Sequence, residues 1–402
     1  MQTEELPSYP MTRASGCPFD PPPKLKELQA EAPLVKVKVF DKTAWLVTRY
    51  ADQRKLLADP RLSADVTTPG YPSQTAMAPT SEEGVGIGFI LMDDPEHARL
   101  RRMVTAPFMI KRIEAMRPAV QKIVDGLIDD LLAGPKPVDL MEQFALPVPS
   151  LVICELLGVP YADHDFFQQN SKQLISLTAT PEERGQAHGN LGGYLYNLVG
   201  EKLEHPGDDL LSGLTERVKA GELTKQDAAG MGVLLLLAGH ETTANMIALG
   251  TLALLEHPEQ LAVLRETDDP KVVSAAVEEL LRYLNITHNG RRRAVLEDIE
   301  LDGQVIKAGE GLIFPNDIGN RDPEAFEDPD RLDLHRDARH HVAFGFGVHQ
   351  CLGQPLARME LQVVYSTLYR RIPTLRRAAE LDEIPFKHDG SVYGVHSLPV
   401  TW

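Results

Sequence analysis

The decapeptide Phe344-Gly345-Phe346-Gly347-Val348-His349-Gln350-Cys351-Leu352-Gly353 constrains this chain more than any other segment. It sets one cysteine in a glycine-rich loop, with Pro355 opening a strongly helical run behind it. Gly345 and Gly347 permit backbone angles that residues with a Cβ avoid, so the chain can wrap tightly around a sulfur and turn its amide groups towards it. Proline favours the first turn of a helix, which places Cys351 just ahead of a helix N-terminus, where partial positive charge favours an ionised sulfur. The loop reads as a socket for a thiolate-held metal, and iron in haem is one metal held by a lone cysteine.

The rest of the composition narrows the setting. The three cysteines, Cys17, Cys154 and Cys351, lie far apart with no paired spacing, which suggests neither a disulfide framework nor a zinc site. A formal net charge of −17 argues against nucleic acid as a partner, although Arg99, Arg101, Arg102, Lys111 and Arg112 form a basic cluster suited to an acidic protein. The N-terminus has neither a basic n-region nor an apolar h-region. The longest uninterrupted apolar run, Val233 to Ala238, falls far short of the ~20 residues that span a bilayer. These features predict a soluble, cytoplasmic protein that touches no membrane. No linker or repeat divides the 402 residues, so a single domain over 1–402 is expected, with monomer as the default.

Three further constellations carry chemistry. Leu237-Ala238-Gly239-His240-Glu241-Thr242-Thr243 lies in the middle of a pattern that stays helical from about Lys225 to Glu256, roughly 48 Å of helix. A carboxylate and a hydroxyl side by side can pass protons, and Thr242 can also bond the carbonyl four residues back, at Ala238. Glu279 and Arg282 stand at i, i+3 on one helix face. In Met92-Asp93-Asp94-Pro95-Glu96-His97-Ala98-Arg99-Leu100-Arg101-Arg102, a helix start, His97 and Arg101 share a face, and two donors one turn apart suit a carboxylate.

Phe-Gly-x-Gly-x-His-x-Cys-x-Gly resembles the haem-binding loop of cytochrome P450 monooxygenases, and the three constellations follow that family's order. The resemblance covers nearly the whole chain, from Cys17-Pro18 to Leu398-Pro399-Val400-Thr401-Trp402, and is closest to the soluble actinomycete hydroxylases of macrolides, steroid-like and xenobiotic compounds. It implies haem b with Cys351 as thiolate ligand, and Phe344 and Gly353 against the cofactor. It makes Glu241 and Thr242 the acid–alcohol pair that manages protons during dioxygen activation. It assigns the propionates to His97, Arg101, His349 and Arg293, with Arg291 as the alternative after a two-residue slip on the same strand face. Glu279, Arg282 and Arg331 would form a buried structural triad. Phe346 departs from the pattern, since many bacterial members carry histidine there.

The family fold is mainly α with small β-sheets (α+β), with a long distal helix over the haem. The residues agree. Leu34 to Thr48 reads as two strands joined at Asp41-Lys42, a second β region follows Arg282 with a strand-like stretch from Arg293 to Leu301, and a last hairpin is expected around Lys387 to Thr401. The helical pattern from Pro107 to Gly250 is expected to break at Leu146-Pro147-Val148-Pro149 and at Pro206-Gly207. Arg61 to Phe89, with the helices between about Asp165 and Leu203, should roof the distal pocket. Leu234, Leu237, Ala238, Ile87, Ile90, Thr287 and His288 are expected to line it, making a site for a bulky apolar molecule.

The implied reaction inserts one oxygen atom of O2 into a C–H bond. Electrons would come from a ferredoxin and its reductase, with NAD(P)H used only indirectly, because the chain has no flavin or nucleotide motif of its own. Epoxidation, oxidative coupling and peroxide-driven oxygenation share every motif, whereas a haem sensor or carrier has no need of the acid–alcohol pair.

Overall fold

The computed structural model describes residues 6–14, 16–73, 88–175, 179–388 and 392–402. Strands β1 (Leu34–Val39) and β2 (Lys42–Val47) pair antiparallel with Leu34 opposite Val47, as the alternation of buried Val37 and Val39 with exposed Lys36 and Lys38 requires. They extend into a five-stranded sheet of order β1-β2-β8-β5-β3, in which β3 is Leu62–Ser63, β5 Arg291–Val295 and β8 Gly311–Phe314. The register sets Arg291 opposite Phe314 and Arg293 opposite Leu312, so the two arginines share one face of β5.

The expected strand from Arg293 to Leu301 is divided. β5 ends at Val295, and Ile299–Leu301 (β6) turns back on Gln304–Ile306 (β7) in a separate two-stranded sheet. The terminal segment also differs from the expected hairpin. Pairing there runs between 385 and 396, through Phe386 with Val395 and the Lys387 amide donating to the Gly394 carbonyl. Pro399–Thr401 (β10) instead joins β4 (Val138–Asp139) and β9 (Arg376–Arg377).

The helices that build the site are α1 (Glu96–Thr105), α2 (Ile110–Ala133), α3 (Pro147–Leu157), α4 (His164–Ile175), α5 (Pro181–Glu204), α6 (Lys225–Glu256), α7 (Pro270–Tyr283) and α8 (Gln354–Arg371). Pro147 and Pro149 open a helix where a break was expected. Both fall in the first turn of α3, where a backbone N–H has no intrahelical partner to lose. The break at Pro206-Gly207 is present, between α5 and a helix that begins at Leu210.

Helix α6 begins on a capping box, Thr224 and Asp227 each accepting from the other's backbone N–H. It is apolar around nearly its whole circumference, as suits a helix with protein on every side. By length and composition it could cross a membrane, but 72% of its most apolar window is buried within the protein. It packs against α3, α5 and α8. Its approach to α8 is close at Gly250, where a Cβ would lie 1.9 Å from the Tyr365 hydroxyl. That hydroxyl donates to the Met246 carbonyl at 2.5 Å, and the Tyr369 hydroxyl donates to Thr251 at 3.1 Å, so two buried phenols tie α8 to α6.

Candidate active site

The cysteine loop is built as its glycines predict. Gly345 and Gly347 have φ of +73° and +75°. A Cβ on Gly347 would lie 2.2 Å from the Leu57 carbonyl oxygen, so both the angle and the space demand glycine. The Cys351 amide donates to the Phe344 carbonyl at 2.9 Å and closes the loop. Helix α8 starts two residues after Leu352, with Gly353 as its N-cap and Pro355 in its first turn. Burial raises the Cys351 thiol, while the Gly353 N–H and the nearby Arg291, Arg101 and Arg358 guanidinium groups favour its thiolate.

Cys351 opens into a cavity of about 520 Å³ enclosed by α1, α3, α6, β5 and the head of α8. Of the residues expected at the site, Cys351, Phe344, Gly353, His97, Arg101, Arg293, His349, Thr242, Leu234, Ala238, Ile90 and Thr287 all line it. Ile87 lies outside the described residues. Leu237 does not line it and packs into the core instead. At ~100° per residue, Leu234, Ala238 and Thr242 form one stripe and Leu235, Gly239 and Thr243 the next, which points Leu237 to the opposite side of α6. His288 is also turned away, buried with its ring stacked 5.8 Å from Tyr393.

Glu241 stands at the edge of the lining arc and outside the cavity, its Oε1 3.2 Å from Lys387 Nζ. Thr242 Oγ1 donates to the Ala238 carbonyl at 2.7 Å, the bond expected from spacing alone. The neighbouring His240 is buried and pushed down to about 4, by burial first.

A set of cationic and donor groups crowds one end of the cavity. The His97 and His349 rings lie 4.0 Å apart, with Arg101 and Arg293 beside them. His97 Nδ1 is 3.1 Å from Asp94, while its Nε2 is buried without a partner. His349 is pushed down to about 3 by burial and then by Arg293, His97 and Arg101. Arg291 also lines the cavity, donates to the Ala343 carbonyl at 3.1 Å, and leaves its Nη1 buried and unpartnered. Positive groups gathered against each other, with donors unused, fit a ligand carrying carboxylates. A macrocycle with two propionates would meet that demand, with Cys351 supplying the sulfur ligand to its metal. Arg291, Arg292 and Arg293 all line this space, and Arg291 and Arg293 share one strand face.

The structural triad contains a different arginine from the one expected. Arg282 forms a two-pronged bond with Glu279, Nε to Oε2 at 2.7 Å and Nη2 to Oε1 at 2.8 Å, with both side chains at 0% exposure. The third cation is Arg336, whose Nε donates to Glu279 Oε1 at 3.2 Å. Arg331 is 67% exposed and pairs with Asp333, while its carbonyl accepts from Arg282. The basic cluster near α1 likewise divides. Arg101 turns inward to donate to the Gln350 carbonyl, while Arg99 and Arg112 stay at the surface on Glu96 and Asp208.

Several lining residues carry no sequence signal of their own. Leu235 could have been found from the second stripe of α6. Glu360, fully buried on α8 and lining the cavity, sits in a stretch that reads as a polar helix face.

Residues 200–372 match the family model described as Cytochrome P450. The chain is 59% identical to "Cytochrome P450 GfsF" of Streptomyces halstedii, covering 99% of this chain and 97% of that one. The crystal structure of GfsF superposes with a TM-score of 0.93 over 98% of this chain and all of the other. The vitamin D3 dihydroxylase of Streptomyces griseolus is 46% identical over the full length of this chain and 97% of its own. The mycinamicin VIII C21 methyl hydroxylase of Micromonospora griseorubida, solved with mycinamicin VIII bound, is 44% identical, with a TM-score of 0.89 over 99% of this chain and all of that one. The chain therefore belongs to the cytochrome P450 family, in its actinomycete hydroxylase branch. It is a haem-thiolate monooxygenase, and members of this kind draw electrons from redox partners to oxidise small molecules.

Proposed function

We propose that this enzyme hydroxylates a C–H bond of a bulky, largely apolar molecule of the macrolide, steroid-like or xenobiotic kind, with electrons from a ferredoxin and its reductase. One observation carries the reading: Cys351 and Thr242 face a single cavity whose distal wall, Ile90, Ile153, Leu234, Leu235 and Ala238, is apolar. The relatives' names support the substrate class, since one is a vitamin D3 dihydroxylase and another a mycinamicin VIII C21 methyl hydroxylase.

Haem b supplies the one-electron dioxygen chemistry, with the thiolate pushing electron density towards the metal. The chain's own residues do the rest. Cys351 provides the sulfur, held ready by the Gly353 N–H and three guanidinium groups. His97, Arg101, Arg293 and His349, with Arg291, would hold the propionates. Glu241, 15% exposed, takes a proton from the solvent side, and Thr242 holds one at Oγ1 on the cavity face. The apolar wall excludes water, so that protons arrive through these two groups. Arg102, Lys111 and Arg112 offer a basic face to an acidic ferredoxin. The enzyme acts in the cytoplasm as a single domain and a monomer; the burial of α6 within the protein supports a core helix over a membrane span.

The test is the absorption spectrum of the dithionite-reduced protein under carbon monoxide. A strongly red-shifted Soret band is expected. A band where histidine-ligated haem absorbs would remove Cys351 as the ligand. Product analysis on substrates found by spin-state shift then separates hydroxylation from epoxidation or coupling.

A further inference from the structure

Lys387 has no place in the mechanism so far, yet it is built into the site. Its ammonium and the Glu241 carboxylate are 11% and 15% exposed, and among the described residues neither makes a second ion pair. Long side chains are rarely held this far from water without a partner, so the pair is specific where a surface bridge would not be.

The backbone shows how Lys387 is held. It sits on the hairpin between 385 and 396, where its amide donates to the Gly394 carbonyl at 2.9 Å. Gly394 presses on α6 one turn beyond Glu241, since a Cβ there would lie 1.7 Å from Asn245 Oδ1. Asn245 in turn donates to the Glu241 carbonyl at 2.9 Å. The other edge of the hairpin is fixed to the cavity wall, through the Tyr393 amide on the Ile286 carbonyl at 2.8 Å and the bridge between Val392 and Thr287. Lys387 is thus held at both edges of its hairpin and presented to one carboxylate.

We propose that Lys387 is a positioning residue for Glu241, keeping the carboxylate turned out of the cavity between turnovers. The inference rests on the acid role of Glu241 given above. An unpaired carboxylate at that position would be free to swing inward and carry solvent protons into the cavity out of step with electron delivery. The reduced oxygen would then leave as peroxide: dioxygen takes up two electrons from the redox partners and two protons from solvent.

The test uses the holoenzyme with a plant-type ferredoxin, its reductase and NADPH, without substrate, reading peroxide released per NADPH and its rate. Lys387→Met is expected to raise the peroxide rate several-fold, and Lys387→Arg to restore it to the parent level. A binding readout accompanies it: brief acetic anhydride labelling of the ferric protein followed by mass spectrometry. Lys387 should label slowly in the parent and several-fold faster in Glu241→Gln. Equal labelling in the two proteins, or a Lys387→Met enzyme with the parent's peroxide rate, would overturn the proposal. If Glu241→Gln itself leaves solvent isotope effects and peroxide unchanged, the acid role of Glu241 fails, whatever Lys387 does. If Lys387 acts through Glu241, the double variant matches Glu241→Gln alone.

Discussion

Glu279 and Arg282 meet through two parallel hydrogen bonds of 2.7 and 2.8 Å at a point that water does not reach. The remaining donors of Arg282 are taken by the carbonyls of Asn320, Pro329 and Arg331, so one guanidinium gathers the downstream chain at three points. Removing Glu279 leaves the buried Arg282 without its anion, and removing Arg282 leaves Glu279 to Arg336 alone and three carbonyls without their donor, at about 3–5 kcal/mol. Glu279→Ala and Arg282→Ala should therefore yield no haem-loaded protein. Arg336→Ala should cost about 1–3 kcal/mol through the lost charge-assisted bond to Glu279. Arg331→Ala should leave stability unchanged, since its side chain lies in solvent. Urea unfolding of the variants, with the Soret absorbance as a measure of haem content, ranks them.

Thr242 should govern coupling and leave binding alone. Thr242→Ala removes the hydroxyl that donates to the Ala238 carbonyl and keeps the apolar stripe beside it. The substrate-induced spin shift should be retained, while product formed per NADPH falls and peroxide rises. Unchanged coupling would mean that another group carries the protons.

Glu360 makes stability depend on pH. Burial pushes its carboxyl up to about 8, and its Oε2 has no partner. The folded chain therefore keeps a proton that the unfolded chain gives up at ordinary carboxylate pH, and stability falls as pH rises from about 4.5 towards about 8. The loss at neutral pH is on the order of 3 kcal/mol. Glu360→Gln should flatten that slope and raise the urea midpoint at pH 7.5 relative to the parent, with little difference between the two at pH 5.

Gly345 cannot take a side chain while Arg291 is in place. A Cβ there would sit 2.5 Å from Arg291 Nε, and φ is +73°. Gly345→Ala should lower the fraction of haem-loaded protein and shift part of the carbon monoxide band away from the thiolate position. Arg291→Ala in the same chain should recover part of the lost folding stability, read by urea unfolding of the haem-free protein, by clearing the collision and leaving the backbone term of roughly 1–2 kcal/mol.

What could be read from the sequence was what short spacing encodes. The cysteine loop, the i, i+3 and i, i+4 pairs, the extent of α6 from Lys225 to Glu256 and the β1–β2 hairpin all depend on neighbours within a turn or two. Arg336 is not legible in the sequence, because the path of the loop after Asp328 decides which arginine reaches Glu279, and Arg331 and Arg336 have the same local chemistry. Nearness to Thr242 in sequence suggests a cavity position for Leu237, whereas its angular position on the helix turns it into the core. The Lys387–Glu241 pair joins residues 146 apart, and no periodicity links them. Prolines 147 and 149 read as a break because the same residue that ends one helix also starts the next.

Helix α6 is completed at Glu256, and α8, whose tyrosines grip it at Met246 and Thr251, begins only at Gln354, 354 − 256 = 98 residues later. At about 5–20 residues per second, the ribosome takes roughly 5–20 s to supply that floor. Through this interval a helix greasy enough to pass for a bilayer span has one flank without its final cover, and the cysteine that will fasten the cofactor has not been made. The birth of the enzyme therefore has an order: walls first, then floor, then haem.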